Sequence, residues 1–121
     1  EESTMGDDAK AVGAAMGLPV VPDPKPDRNV FIRSDQYSFI KQGIPALFLK
    51  YGFAVGTPEE KIEADWRANI YHSPQDDLNQ PVMKAEGVKL TDYLIALTRR
   101  IADAPDRPHW NADSYFKRFA K

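Results

Sequence analysis

Cysteine is missing from the 121 residues of this chain, and histidine occurs only twice. The absence of cysteine excludes disulfides and thiolate zinc sites, although it leaves the redox compartment undecided. Any strong metal site must therefore use histidine and carboxylates. Long apolar runs are missing too: none approaches the roughly 20 residues that a membrane helix needs, and the acidic first residues are unlike a signal peptide. The sequence therefore predicts no transmembrane segment.

Neither sign of charge dominates, because the formal net charge is -2 and 28% of the residues are charged. Such a balance gives no general attraction to nucleic acid or to anionic membranes, so we predict no nucleic-acid partner. The length suits one hydrophobic core, and residues 1–121 are predicted to form a single domain or one piece of a larger one. The opening residues 1–4 lack the turn of a domain start, which favours a segment of a larger domain.

Four helices are predicted from end signals and apolar spacing. The first runs from Asp7 or Asp8 to about Met16, and Gly17 is suited to its C-terminal cap. Others are predicted at residues 36–42, from Thr57 or Pro58 to Trp66, and after Pro81, where the longest helix begins. Apolar residues at helical spacing in this last helix are predicted to be core: Val88, Leu90, Tyr93, Leu94, Leu97 and Ile101.

Three short apolar runs predict strands. Residues 18–21 contain Pro19, which suits an edge strand, while residues 30–32 and 44–50 have the continuous apolar character of buried strands. The order of strand, helix and strand over residues 30–50 predicts a crossover unit, and hence an α/β fold with a partly parallel sheet. Functional residues in such sheets gather at the carboxyl ends of the strands, where Arg33–Asp35 and Tyr51–Phe53 would lie.

The most chemically suggestive stretch is residues 71–76, which read Tyr-His-Ser-Pro-Gln-Asp. A neutral imidazole is a common zinc ligand, and a phenol beside it could donate a hydrogen bond to an oxyanion. Pro74 stiffens the turn that presents His72. The alternative is a hydrogen-bonded surface loop, in which Tyr71 is a half-buried aromatic residue and Asp76 a solvated or capping acid.

Three segments together resemble a known family. They are Arg-Ser-Asp-Gln-Tyr-Ser-Phe at residues 33–39, Gly-Ile-Pro-Ala-Leu at 43–47 and the stretch at 71–76. In order and separation they are similar to the C-terminal part of the co-catalytic zinc exopeptidases, which include bacterial zinc aminopeptidases, glutamate carboxypeptidase and glutaminyl cyclase. The resemblance covers approximately residues 3–102, and the motifs are specific as a set.

The resemblance implies a three-layer α/β fold with a mixed, partly parallel central sheet flanked by helices, and two zinc ions in the complete enzyme. It implies hydrolysis of a peptide substrate by a metal-bound water, most naturally as an aminopeptidase. His72 matches a zinc ligand, Tyr71 a residue that stabilises the tetrahedral intermediate, and Asp76 an outer residue that fixes the loop. The segment expected to line the substrate pocket comprises Arg33, Ser34, Asp35 and Gln36, with Gln36 where the family often has histidine.

The family's other metal ligands are expected upstream of this chain. We therefore expect an inactive C-terminal segment whose partner is the missing N-terminal part of the same enzyme, holding zinc weakly or not at all by itself. A cut sheet would expose an apolar edge and self-associate. The resemblance alone favours a periplasmic or extracellular location. The alternatives are a non-catalytic interaction module that kept the peptidase fold without the metal site, and a small α/β domain unrelated to peptidases.

Overall fold

The computed structural model describes residues 2–120 and consists of helices joined by irregular segments. Its α-helices are α1 (Met5–Met16), α2 (Gln36–Ile40), α3 (Pro58–Asn69) and α4 (Lys84–Ala102). Short 3₁₀ helices span Pro26–Arg28, Val30–Ile32 and Tyr115–Phe119. Over the described range, no helix has both the length and the apolar character needed to cross a membrane.

The predicted α/β fold with a mixed central sheet is wrong, because residues 2–120 contain no strand and half of the chain is helical. Val30–Ile32 forms a 3₁₀ helix that follows Asn29, whose φ of 52° turns the chain away from an extended path. Residues 19–21 and 45–50 lack regular structure and make no backbone hydrogen bond to another described segment. An apolar run indicates burial, but a strand also needs a neighbour that pairs with its N–H and C=O groups.

The core lies between α1 and α4. Its buried members are Ala9 and Val12 from α1 and Tyr93 and Leu97 from α4. Partly buried residues packed around them include Leu18, Val20, Leu47, Leu49, Leu90 and Ile101. The predicted apolar stripe of α4 is therefore only partly core, since Val88 and Leu94 are 60% and 40% exposed. The apolar loop segments take the place beside this helix pair that a sheet was expected to fill.

The C-terminal segment folds back on the beginning of the chain. The Thr4 N–H donates to the His109 carbonyl at 3.1 Å, and an isolated antiparallel bridge joins Ser3 to Trp110. Trp110 is buried and its indole N–H donates to the Gly43 carbonyl at 3.1 Å. The 3₁₀ helix beyond it places Phe116 edge-on to Phe31, with ring centres 5.3 Å apart. These contacts tie the tail to the beginning of the chain, to the turn that follows α2 and to the segment that precedes it.

Candidate functional site

The stretch at residues 71–76 leaves the C-terminal end of α3 in a tight turn. The N–H groups of Ile70 and Tyr71 both donate to the Trp66 carbonyl, at 2.9 and 3.0 Å. His72 follows with a left-handed φ of 59°. The Ser73 hydroxyl and N–H then donate to the Ile70 carbonyl at 2.5 and 3.0 Å. These bonds hold the backbone on both sides of His72, so the histidine takes a conformation that few non-glycine residues adopt.

The rings of Tyr71 and His72 are stacked, with centres 3.7 Å apart and planes 25° apart. The Trp66 ring also contacts this pair, with its centre 4.9 Å from the centre of Tyr71. Tyr71 is 39% exposed and His72 is exposed. Neither imidazole nitrogen has a hydrogen-bond partner among residues 2–120. The imidazole is therefore held flat against a phenol while its nitrogens can reach a ligand from solvent.

A series of contacts between charged side chains connects the stacked rings to the segment before α2. The Arg67 guanidinium lies 5.1 Å from the centre of the Tyr71 ring, and its Nε donates to Glu63 Oε1. Arg28 Nη1 donates to the same oxygen at 2.7 Å. Burial by itself raises the pKa of Glu63, but hydrogen bonds from the two arginines outweigh it and hold the pKa below its ordinary value. Glu63 is therefore a paired carboxylate anion.

The predicted substrate segment, residues 33–36, lies at the other end of this series of charged contacts. Arg33, Ser34 and Asp35 are exposed, and Arg33 Nη1 lies 3.5 Å from the Arg28 carbonyl, a long hydrogen bond. The Gln36 side-chain amide donates to the Phe31 carbonyl at 2.6 Å, which closes the loop onto itself. Three polar side chains are thus presented to solvent beside a fixed glutamine.

The structure brings some of the predicted residues together and leaves others apart. Tyr71 and His72 are in direct contact, whereas Asp76 is exposed and its carboxylate has no partner in the described chain. Only the N–H of Asp76 takes part in the turn, donating to the Ser73 carbonyl at 3.0 Å. No hydrogen bond, ion pair or ring contact directly joins residues 33–36 to residues 71–76 within the range described. The link between them is indirect, through Arg28 and α3.

The donor set does not by itself fit a catalytic zinc. Among residues 2–120 no three histidine, aspartate or glutamate side chains lie where they could share a metal ion. A catalytic zinc takes three protein ligands and keeps a further position for water or substrate. His72 therefore offers one ligand at most, and the others would have to come from beyond the described residues.

Sequence reasoning missed Arg28, Glu63 and Arg67 as parts of the site. Glu63 and Arg67 are four residues apart, which is the spacing of a helical ion pair, but the predicted helix ended at Trp66, one residue before Arg67. Arg28 carried no such signal, since 35 residues separate it from Glu63. Tyr51 lies elsewhere, in the wall of a cavity of about 250 Å³ between α4 and residues 18–24.

One comparison with known proteins identifies a family. The family model described as peptidase family M28 matches residues 1–98. The match includes both the Arg33 segment and the Tyr71–His72 pair, and it stops within α4. No curated protein and no solved structure matches the chain.

Proposed function

Since the chain belongs to peptidase family M28, a family of zinc-dependent peptidases, we propose that it forms part of an aminopeptidase site. In this proposal His72 is a zinc ligand, and Tyr71 and the segment Arg33–Gln36 contact the peptide. The observation that carries it is the family match over residues 1–98, which includes an exposed, loop-held imidazole.

The surroundings of His72 suit a metal ligand. Its backbone is held by the turn at Ser73, its ring rests on Tyr71, and its nitrogens have no described partner. A ring held in one orientation loses little freedom when it binds an ion. The remaining ligands would come from outside residues 2–120, so the chain alone should not hydrolyse peptides.

Tyr71 and the Arg33 segment have roles that do not require them to hold the metal. The Tyr71 hydroxyl has no partner in the described range and can donate a hydrogen bond to a peptide carbonyl oxygen as it gains charge. The exposed Arg33 guanidinium can bind a carbonyl or a carboxylate. Ser34, Asp35 and the neutral side chain of Gln36 extend this polar surface along the loop.

Zinc titration of the purified chain by calorimetry tests whether His72 is a zinc ligand. We expect weak binding that is lost in His72→Ala and kept in His109→Ala, the matched variant at the other histidine of the chain. Equal binding by wild type and His72→Ala would sink the assignment of His72. Tight binding of one equivalent, accompanied by peptide hydrolysis by the chain alone, would contradict the need for ligands from elsewhere.

The type of peptidase is tested on the enzyme that supplies the other ligands. An aminopeptidase must recognise the free amino terminus, so acetylating the peptide should abolish hydrolysis while amidating its carboxyl terminus should not. The opposite pattern would replace the aminopeptidase proposal with a carboxypeptidase. A periplasmic or extracellular site of action remains part of the proposal, and fractionation of the source cells tests it.

A second candidate is a non-catalytic interaction module that keeps the family's sequence without its metal site. The absence of a three-ligand group among residues 2–120 is compatible with this candidate as well as with the first. This candidate predicts no zinc in the natural protein when it is purified without chelators and assayed by elemental analysis. Bound zinc at or above one equivalent, reduced by His72→Ala, would exclude it.

A further inference from the structure

Glu63 differs from the neighbouring acidic residues of α3 in the number of cations it binds. Glu60 and Glu63 each pair with a basic residue of the segment before α2, namely Lys25 and Arg28. Glu63 also pairs with Arg67 on its own helix, whose guanidinium faces the Tyr71 ring. Both glutamates therefore form an ion pair with the segment before α2, but only Glu63 also pairs with the arginine that contacts the Tyr71 ring.

We propose that Glu63 and Arg67 are positioning residues that hold the stacked rings of Tyr71 and His72 in a fixed place relative to the Arg33 segment. The catalytic meaning of this arrangement rests on the function proposed above. The contacts run in sequence: the Arg33 side chain reaches the Arg28 carbonyl, Arg28 and Arg67 meet on Glu63, and Arg67 covers the Tyr71 ring that lies on His72.

The orientation of Arg67 depends on Glu63. A guanidinium is flat, so a carboxylate bonded to its edge also decides where its face points, and here the guanidinium lies toward an aromatic ring. A cation over a ring face is attracted by the electrons of that ring. Without the carboxylate, Arg67 would rotate into solvent, and Tyr71 would lose one of the groups that hold it.

The three charged residues act as a unit because both arginines bind one oxygen of Glu63. The second oxygen, Oε2, is buried without a hydrogen-bond partner in the described chain. The Glu63 side chain is 22% exposed and its two arginine partners share one oxygen, so removing either arginine should disturb the other pair. The Lys61–Asp65 pair on the same helix is different, because its side chains are 79% and 60% exposed and such pairs contribute little.

Proton NMR of the His72 ring in the zinc-free chain tests the proposal. A ring stacked on Tyr71 should show upfield-shifted protons, with His109 as an unstacked reference. We expect Glu63→Gln and Arg67→Met to lose that upfield shift, while Arg67→Lys retains part of it by restoring the cation. Glu60→Gln is the matched control, since it breaks an equivalent ion pair from the same helix and should leave the His72 signals where they are.

The proposal is overturned if Glu63→Gln folds and leaves the His72 shifts as in wild type, or if Glu60→Gln moves them equally. Should Glu63→Gln fail to fold, Arg67→Met against Arg67→Lys decides, because a merely structural role would not separate these two. The readout needs no metal, so it is independent of the zinc titration. Wild-type His72 shifts in the Glu63→Gln variant would refute the positioning role alone, whereas equal zinc binding by wild type and His72→Ala would refute the ligand role alone.

Discussion

The Tyr93 hydroxyl donates a hydrogen bond of 2.9 Å to the carbonyl oxygen of Ala9, and both residues are buried. This bond joins α4 to α1 across 84 residues of sequence in the centre of the core. A buried hydroxyl with a partner specifies one register of two helices, whereas apolar contacts tolerate sliding. The helix pair is thus fixed by a polar contact inside an apolar interface.

Replacing Tyr93 with phenylalanine should lower the free energy of unfolding by about 1 kcal/mol, the usual net contribution of one hydrogen bond. Urea denaturation followed by circular dichroism measures the change. Tyr115→Phe is the control, because Tyr115 is 60% exposed and its hydroxyl should matter little. Equal stability losses in the two variants would contradict a special role for the buried hydroxyl.

The same residue predicts a loss of stability at alkaline pH. Burial raises the pKa of Tyr93 in the folded chain above the value of about 10 that an unfolded chain shows. Above about pH 10 the unfolded state then releases a proton that the folded state keeps, so the free energy of unfolding falls as pH rises through the folded pKa. This contribution is fully present below a pH of about 10.

Comparing wild type with Tyr93→Phe over this alkaline range isolates the effect from other titrating groups. The advantage of wild type should shrink with rising pH, whereas the difference between wild type and Tyr115→Phe should change less. A constant difference between wild type and Tyr93→Phe would show that the Tyr93 pKa is the same in both states.

The four α-helices could be predicted to within a few residues because their signals are local, although α1 begins at Met5 and has Asp7 and Asp8 in its first turn rather than at its cap. Gly17 ends α1 in the left-handed conformation, as expected of a C-terminal glycine, and Pro58 with two following glutamates begins α3. The strands could not be predicted in the same way, since pairing depends on a second segment. Residues 44–50 carry the apolar run of a buried strand, yet the described chain gives it no pairing partner.

The candidate site was predictable in its chemistry and less so in its geometry. Residues Tyr71 and His72 stood out by type and order, and the resemblance to zinc peptidases that they carried is confirmed at the level of the family. Their stacking depends on the turn at Ser73 and on the left-handed backbone of His72. No pattern in the sequence predicted either feature. The roles of Asp76 and of the Arg33 segment remain predictions.

Because the backbone of His72 is left-handed, glycine should be more stable than alanine at this position, which is the reverse of their order within a helix. At a φ of 59° a Cβ atom is crowded, so His72→Gly should be more stable than His72→Ala by about 1 kcal/mol. Both variants lack the imidazole, so its contacts cancel in the comparison. Alanine at position 64, exposed within α3, is the control: Ala64→Gly should lose about 1 kcal/mol. Urea denaturation that ranks alanine above glycine at both positions would contradict the left-handed turn.

Gly43 predicts how firmly the C-terminal tail is seated. A Cβ at this position would lie 2.5 Å from the Phe119 carbonyl oxygen, and the φ of 87° disfavours any side chain. Gly43→Ala should therefore cost about 1–3 kcal/mol of unfolding free energy and displace the Trp110 indole from the Gly43 carbonyl. Fluorescence in a Trp66→Phe background should show a red shift as Trp110 meets water.

The matched variant is Gly52→Ala, because no atom of residues 2–120 lies within 4 Å of its added Cβ and its φ is not positive. It should change stability by no more than about 0.5 kcal/mol and leave the Trp110 emission unchanged. If Gly43→Ala behaves like Gly52→Ala in both measurements, the tail does not pack on Gly43.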